Sequence, residues 1–253
     1  MASDLPFDPN SGSLDALLHF PVDKSKFMDV SKVPDDMTPA VLISCGSFSP
    51  PTVMHMRIFE AAKDFFISTR EVHKVEIIGG FVSPVHPGYG KSSLVAPEDR
   101  LDMCRASLQS SEWVLCDDWE TKQNAWTRTR LVLDRYRMEL NKDGGRKIKV
   151  MLLCGSDILD SMIKPGVWSE EDLHAILGGG VACIKREGTD PEAIVFDNDL
   201  LYKYRDSIYL CRDPIQNNVS STAVRRAIKR GLSIKYLVLP EAEKIIRERG
   251  LFT

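Results

Sequence analysis

VLISCGSFSPPTVMHMR, residues 41–57, is the stretch from which the rest of the 253-residue chain can be read. Val41, Leu42 and Ile43 form a short apolar run of the kind a buried parallel strand needs, and Gly46-Ser47 breaks it at once. Pro50 and Pro51 follow, and Met54, Ile58, Ala62 and Phe65 then recur at helical spacing, which puts Thr52 to His55 at the opening of a helix. The stretch therefore predicts a strand, a tight loop and a helix N-terminus. A helix start presents unpaired backbone N–H groups and about half a positive charge, so the chemistry expected here is the binding of nucleotide phosphate. The loop has neither the lysine of GxxxxGK[ST] nor the third glycine of GxGxxG, which separates it from both common nucleotide loops.

Composition narrows the function. With 43% hydrophobic residues the chain can build a proper core, and a formal net charge of −3 gives no general field for a nucleic acid polymer. Cys45, Cys104, Cys116, Cys154, Cys183 and Cys211 are scattered without a CxxC pair, mostly inside apolar runs, as small core residues of a reducing compartment are. No apolar run approaches the length of a membrane span and the first residues carry no secretory pattern. The expectation is a soluble intracellular protein, in nucleus and/or cytoplasm, with no membrane partner. Residues 1–35 read as an N-terminal arm, in which only Leu14 to Phe20 is patterned as a short amphipathic helix, and residues 36–253 as one domain.

Strand and helix patterns then alternate. Val72 to Gly79 predicts a second strand ending at Gly79-Gly80, followed by a long loop from Ser83 to Ser93. Pro97-Glu98-Asp99 opens a helix with Leu101, Cys104 and Leu108 on one stripe, and Trp113 to Cys116 is a third strand. A helix is predicted over about Gln123 to Leu140, with Trp126, Leu133, Tyr136 and Leu140 on its stripe and Thr129 alongside. Ile148 to Cys154 is a fourth strand, broken by Gly155-Ser156-Asp157; a helix follows over about Ile158 to Ile163, then a loop to Trp168, a helix from Ser169, and a fifth strand at Val181 to Ile184. This alternation indicates an α/β chain with a parallel sheet covered on both faces, whose ligand site lies outside the carboxyl ends of the strands.

A second candidate lies near the end. Ser220 to Thr222 supplies N-cap hydroxyls to a helix striped by Val224, Ala227 and Ile228 and stopped by Gly231. Arg225 and Arg226 sit close to its positive end, where cations are disfavoured unless an anion is bound. A polyphosphate reconciles them.

Gly46-Ser47-Phe48-Ser49-Pro50-Pro51-Thr52-Val53-Met54-His55 resembles the GxFxPxxxxH / (H/T)xxH signature of the nucleotidylyltransferase superfamily, with His55 as the second histidine and Thr52 in place of the first. Met54 stands where a glycine often occurs, and with Thr52 it is similar to the eukaryotic nicotinamide mononucleotide adenylyltransferase branch. Val219-Ser220-Ser221-Thr222 through Arg225 resembles the ISSTxxR motif of the same superfamily, in the right order and more than 160 residues away. Further matches cover most of the chain.

The resemblance implies a Rossmann-like doubly wound parallel sheet with a helical C-terminal part, making NAD and pyrophosphate from ATP and nicotinamide mononucleotide, with nicotinate mononucleotide also accepted. It implies an ATP site of Gly46, Ser47, Phe48, His55, Gly155, Asp157, Ser220, Ser221, Thr222, Arg225 and Arg226. The mononucleotide would meet Ser47, Lys91, Trp126, Thr129, Val167, Trp168 and Asn217, with the two tryptophans on the pyridinium ring; Asp213 stands where the family often has Glu. His55 and Arg225 carry the expected catalytic roles, Mg²⁺ is expected to arrive with ATP because no protein cluster has ligand spacing, and a homo-oligomer is expected. Two rivals remain: a sister transferase with another phosphate acceptor, disfavoured by Trp126 with Trp168, and an ATP-binding scaffold or chaperone on the same fold, disfavoured by the intact motifs.

Overall fold

The apolar run of residues 41–43 lies inside β1 (Thr38–Gly46), where Val41, Leu42 and Ile43 are fully buried in a computed structural model that describes residues 21–185, 188–215 and 217–253. The segment Leu14 to Phe20 lies outside the described residues. After β1 come α1 (Val53–Ser68), a single-turn α2 (Arg70–His73), β2 (Val75–Pro84), α3 (Pro97–Ser107), β3 (Val114–Cys116), α4 (Thr129–Asn141) and β4 (Lys149–Gly155). The chain continues with α5 (Ser156–Met162), α6 (Glu170–Gly179), β5 (Val181–Ile184), α7 (Pro191–Phe196), α8 (Asp199–Lys203), β6 (Ile208–Cys211), α9 (Ser221–Lys229) and α10 (Pro240–Glu248).

The six strands form one sheet in the order β3-β2-β1-β4-β5-β6, every neighbouring pair parallel. Alternate residues of a strand face opposite sides, so Val41 and Ile43 join one core with Tyr136, Leu133, Leu173 and Ile176, while Ala40 and Leu42 join another with Phe59, Ala62 and Phe66. Burial on both faces explains why the strand reads as an unbroken apolar run instead of an alternating one. A third cluster, Met103, Val224, Ile234, Val238, Ala242 and Ile246, ties α3 to the C-terminal helices. Within residues 22–33, counted in the arm above, Val22 and Val33 are buried and Phe27 packs at 5.3 Å on Phe81 of β2. No helix among the described residues is long and apolar enough to cross a membrane.

Three sequence expectations are corrected here. Val72 belongs to α2, and β2 runs through Gly79-Gly80 to Pro84 instead of ending there. The two glycines answer to packing: a Cβ on Gly79 would lie 2.3 Å from the Phe27 ring, and one on Gly80 would lie 2.9 Å from Phe59. Trp126 is not on a helix; α4 begins at Thr129, so the two residues share no helical face. The short α7, α8 and β6 were not anticipated, because segments of four to six residues show no period.

Candidate active site

The strand order reverses between β1 and β4, and open parallel sheets bind ligands in the crevice beyond that point. Ile43 pairs with Leu152, and Gly46 and Gly155 each lie three residues further on, so the glycines close the two strands side by side at the crevice. Beyond Gly46 the chain turns sharply: Phe48 has φ +44 and is buried, and its ring lies edge-on to His55 at 5.1 Å between centroids.

Thr52 is the N-cap of α1, with the extended backbone that position takes. His55 reaches back to it: Nδ1 accepts the Thr52 backbone N–H at 3.0 Å and lies 2.7 Å from Thr52 Oγ1. A ring that accepts at Nδ1 carries its proton on Nε2 when neutral, which makes that nitrogen a donor.

The second motif meets the same loop. Ser220 caps α9, its Oγ accepting the Ala223 N–H at 3.2 Å. Ser221 Oγ donates to the Pro50 carbonyl at 2.8 Å, Arg225 Nη1 donates to the Ser49 carbonyl at 2.7 Å, and Arg225 Nη2 donates to Thr222 Oγ1 at 3.2 Å. Partial burial lowers the pKa of Arg225. A cavity of about 580 Å³ opens beside these groups, lined by Ser92, Thr222, Arg225, Arg226, Lys229 and Arg230. The starts of α1 and α9 thus meet at the loop after β1, with Arg225 joining them, and the cavity on the other side of Arg225 carries Arg226, Lys229 and Arg230.

The other expected residues are more dispersed. Asp157 lies in the first turn of α5, whose N-cap is Gly155, beside the end of β4. Trp168 is half-buried against the core, its Nε1 donating to Ser161 Oγ at 3.0 Å, while the neighbouring Val167 is exposed. Trp126 is 46% exposed and meets Tyr89 at 6.3 Å in a tilted pair; among the described residues it has no ring contact with Trp168. Lys91 is exposed on the loop after Tyr89, and Thr129 is half-buried at the first position of α4. Asn217 Oδ1 accepts the Val219 N–H at 2.9 Å and so shapes the turn into α9. Asp213 is engaged by Arg57 of α1 through two bonds, at 2.8 and 3.1 Å, which lowers its pKa.

The Cytidylyltransferase-like family model matches residues 43–227. A rice protein named nicotinamide/nicotinic acid mononucleotide adenylyltransferase is 42% identical over 217 residues, which is 84% of this chain and 86% of the relative. The chain belongs to this adenylyltransferase family. A Drosophila melanogaster nicotinamide-nucleotide adenylyltransferase is 38% identical over 237 residues, 83% of this chain and 60% of that longer relative. The structure of the Plasmodium falciparum nicotinic acid mononucleotide adenylyltransferase complexed with NaAD has the same fold, with a TM-score of 0.64 at 20% identity, covering 85% of this chain and 97% of that one.

Two residues that sequence reasoning passed over stand directly behind the site of this adenylyltransferase family member. Arg100 of α3 is fully buried, its three nitrogens donating to the carbonyls of Val95 at 3.3 Å, Ser47 at 3.1 Å and Val85 at 2.7 Å. The available signal was its spacing, three residues before Met103 and four before Cys104, on a stripe that is otherwise apolar. Glu120 is also buried, and its Oε2 accepts from Ser83 Oγ at 2.8 Å. Loss of solvent pushes its pKa up to about 8, against the opposing pull of Ser83 and Arg100, so it is mostly protonated at neutral pH.

Proposed function

We propose that the protein transfers the adenylyl group of ATP to the phosphate of nicotinamide mononucleotide, and to that of nicotinate mononucleotide, yielding NAD or its deamido form and pyrophosphate. The observation that carries this reading is the junction of the two motifs: Ser221 and Arg225 bind the Pro50 and Ser49 carbonyls of the loop that starts the first motif's helix. Family membership supplies the substrate class.

The chemistry asks little of a general base. A phosphate monoester with a second pKa near about 6 is already a dianion at neutral pH, so its oxygen attacks the α-phosphorus directly while the bond to the β-phosphate oxygen breaks. The protein must position the two substrates and stabilise charge that moves toward the leaving pyrophosphate. The backbone N–H groups of Ser221 and Thr222 at the start of α9, with the Thr222 hydroxyl, supply donors for the phosphate chain, Arg225 and Arg226 supply charge, and the His55 imidazole donates from Nε2. The pyridinium ring is a flat cation, and Trp168 with Trp126 offers it aromatic faces worth roughly 0.5 to 2 kcal/mol.

Among the described residues no group of three His, Cys, Asp or Glu side chains is arranged to hold a metal ion. Mg²⁺ would arrive with ATP, held mainly by phosphate and water oxygens, where it would neutralise charge on the phosphates. Self-association, and work in the nucleus and/or cytoplasm, belong to the same proposal.

Incubation with Mg²⁺, either mononucleotide and ATP labelled at the γ position should place the label in pyrophosphate. Labelled orthophosphate, or no product with either mononucleotide, would reject the reading in favour of a hydrolase or a scaffold.

A further inference from the structure

Burying a guanidinium without a counter-charge is strongly unfavourable, and proteins keep such a group only where its hydrogen bonds accomplish something. Arg100 has no solvent exposure, and among the described residues no carboxylate lies within salt-bridge distance of it. Its three acceptors are all main-chain carbonyls, and they belong to three segments around the nucleotide crevice: Ser47 in the loop after β1, Val85 just beyond β2, and Val95 before α3. Arginine is the side chain whose rigid fork can reach three such acceptors at once; a lysine ammonium on its flexible stem cannot hold them in one plane.

The Ser47 bond has a directional consequence. The Ser47–Phe48 peptide is trans, and a planar trans peptide points its C=O and its N–H to opposite sides. Turning the Ser47 carbonyl inward onto Arg100 therefore turns the Phe48 N–H away from Arg100. Among the described residues that N–H has no acceptor. Phe48 is also one of the few non-glycine residues with positive φ, a strained conformation that persists only where neighbours enforce it. The next residue is held as well: Ser49 Oγ donates to the Ser93 carbonyl at 3.0 Å and accepts the Val95 N–H at 3.2 Å, while Arg225 donates to the Ser49 carbonyl. Arg100 and Arg225 thus grip the carbonyls on either side of Phe48 in the same short loop.

We propose that Arg100 is a positioning residue of the nucleotide site, holding the Ser47–Phe48 peptide so that the Phe48 N–H faces the phosphate chain and lending its charge to those phosphates from beneath the loop. The proposal rests on the phosphate reading of this loop given above. It separates two properties that different substitutions remove: Arg100→Lys keeps the charge and loses the fork, and Arg100→Met loses both.

The test is binding of inorganic pyrophosphate, ATP and adenosine to wild type and both variants by calorimetry, below any unfolding transition, together with kcat and KM. Losing one charge-assisted contact is worth roughly a tenfold change or more, so folded Arg100→Lys should bind pyrophosphate and ATP at least about tenfold more weakly. Adenosine affinity should be unchanged, and kcat should fall more than the mononucleotide KM rises. Arg100→Met should be weaker still for pyrophosphate. A folded Arg100→Lys with wild-type pyrophosphate affinity and kcat, altered only in melting temperature, would overturn the proposal and leave Arg100 as packing. Wild type that neither binds pyrophosphate nor makes NAD would overturn the function reading itself. If both variants fail to fold, hydrogen exchange of the wild-type Phe48 amide decides: added pyrophosphate should slow it about tenfold or more, and unchanged exchange would sink the idea.

Discussion

The His55 imidazole serves the chain and the ligand site together, because the nitrogen that accepts the Thr52 N–H secures the start of α1. His55→Ala should therefore lose stability by about 0.5–2 kcal/mol, the usual range for a helix cap. If Nε2 also donates to phosphate oxygens as charge moves to the leaving group, the same substitution should lower kcat by roughly a hundredfold or more, equivalent to about 2.7–4 kcal/mol. Calorimetry and turnover on one preparation separate the two; an early-melting enzyme with near-normal kcat would reduce His55 to a cap. Glu120 makes a different kind of prediction. The unfolded chain releases this proton near pH 4.3 (about the ordinary glutamate value), whereas the folded protein holds it up to about 8, so stability contributed by the neutral form falls as pH rises across that window. Glu120→Gln keeps an oxygen for Ser83 and has no proton to lose. Its melting temperature relative to wild type should climb between about pH 5 and 8 and level off above, and a constant difference would show that burial does not raise the carboxyl.

At the scale of elements, β2 shows packing overruling a local signal. Paired glycines normally end a strand, yet here Phe27 from the preceding segment lies over Gly79 and leaves no room for a side chain. Gly79→Ala must displace that ring and its contact with Phe81, and should cost about 1–3 kcal/mol as other overpacked cores do, lowering the melting temperature by several degrees. Unchanged melting would mean that residues 22–33 contribute little to the sheet. α1 is held twice near its start, by Thr52 with His55 at the cap and by the pairing of Arg57, one turn further on, with the nearly buried Asp213 beyond β6. The second contact explains why Asp213, set among the ligand-binding candidates by resemblance, is occupied by the fold.

At the scale of the molecule, the parallel order places the ends of β1 and β4 side by side, and α9 packs onto the loop that follows β1. Ligand that spans this junction binds only the folded state, so NAD at about a hundred times its dissociation constant should add roughly 2.7 kcal/mol of stability. That predicts a rise in melting temperature of about 5–10 °C for a chain of this size, read by scanning calorimetry. No rise in melting temperature at that saturation would show that the folded junction does not bind NAD.

The sequence alone determined what depends on neighbours along the chain. The run Val41 to Ile43, the glycine after it and the helical spacing from Met54 onward specify strand, loop and helix, because burial on two faces and helical period are local patterns. Ser220 as the cap of α9 was legible for the same reason. Only the tertiary structure decided the rest. Trp126 shared a helical spacing with Leu133 and Leu140, but α4 starts three residues later and leaves the ring exposed beside Tyr89. Gly79 reads as a break until Phe27 is seen above it. Arg100 reads as one more surface charge on α3; its meaning lies in the carbonyls of Ser47 and Val85, supplied by chain 53 and 15 residues away, and such contacts leave no periodic trace in the sequence.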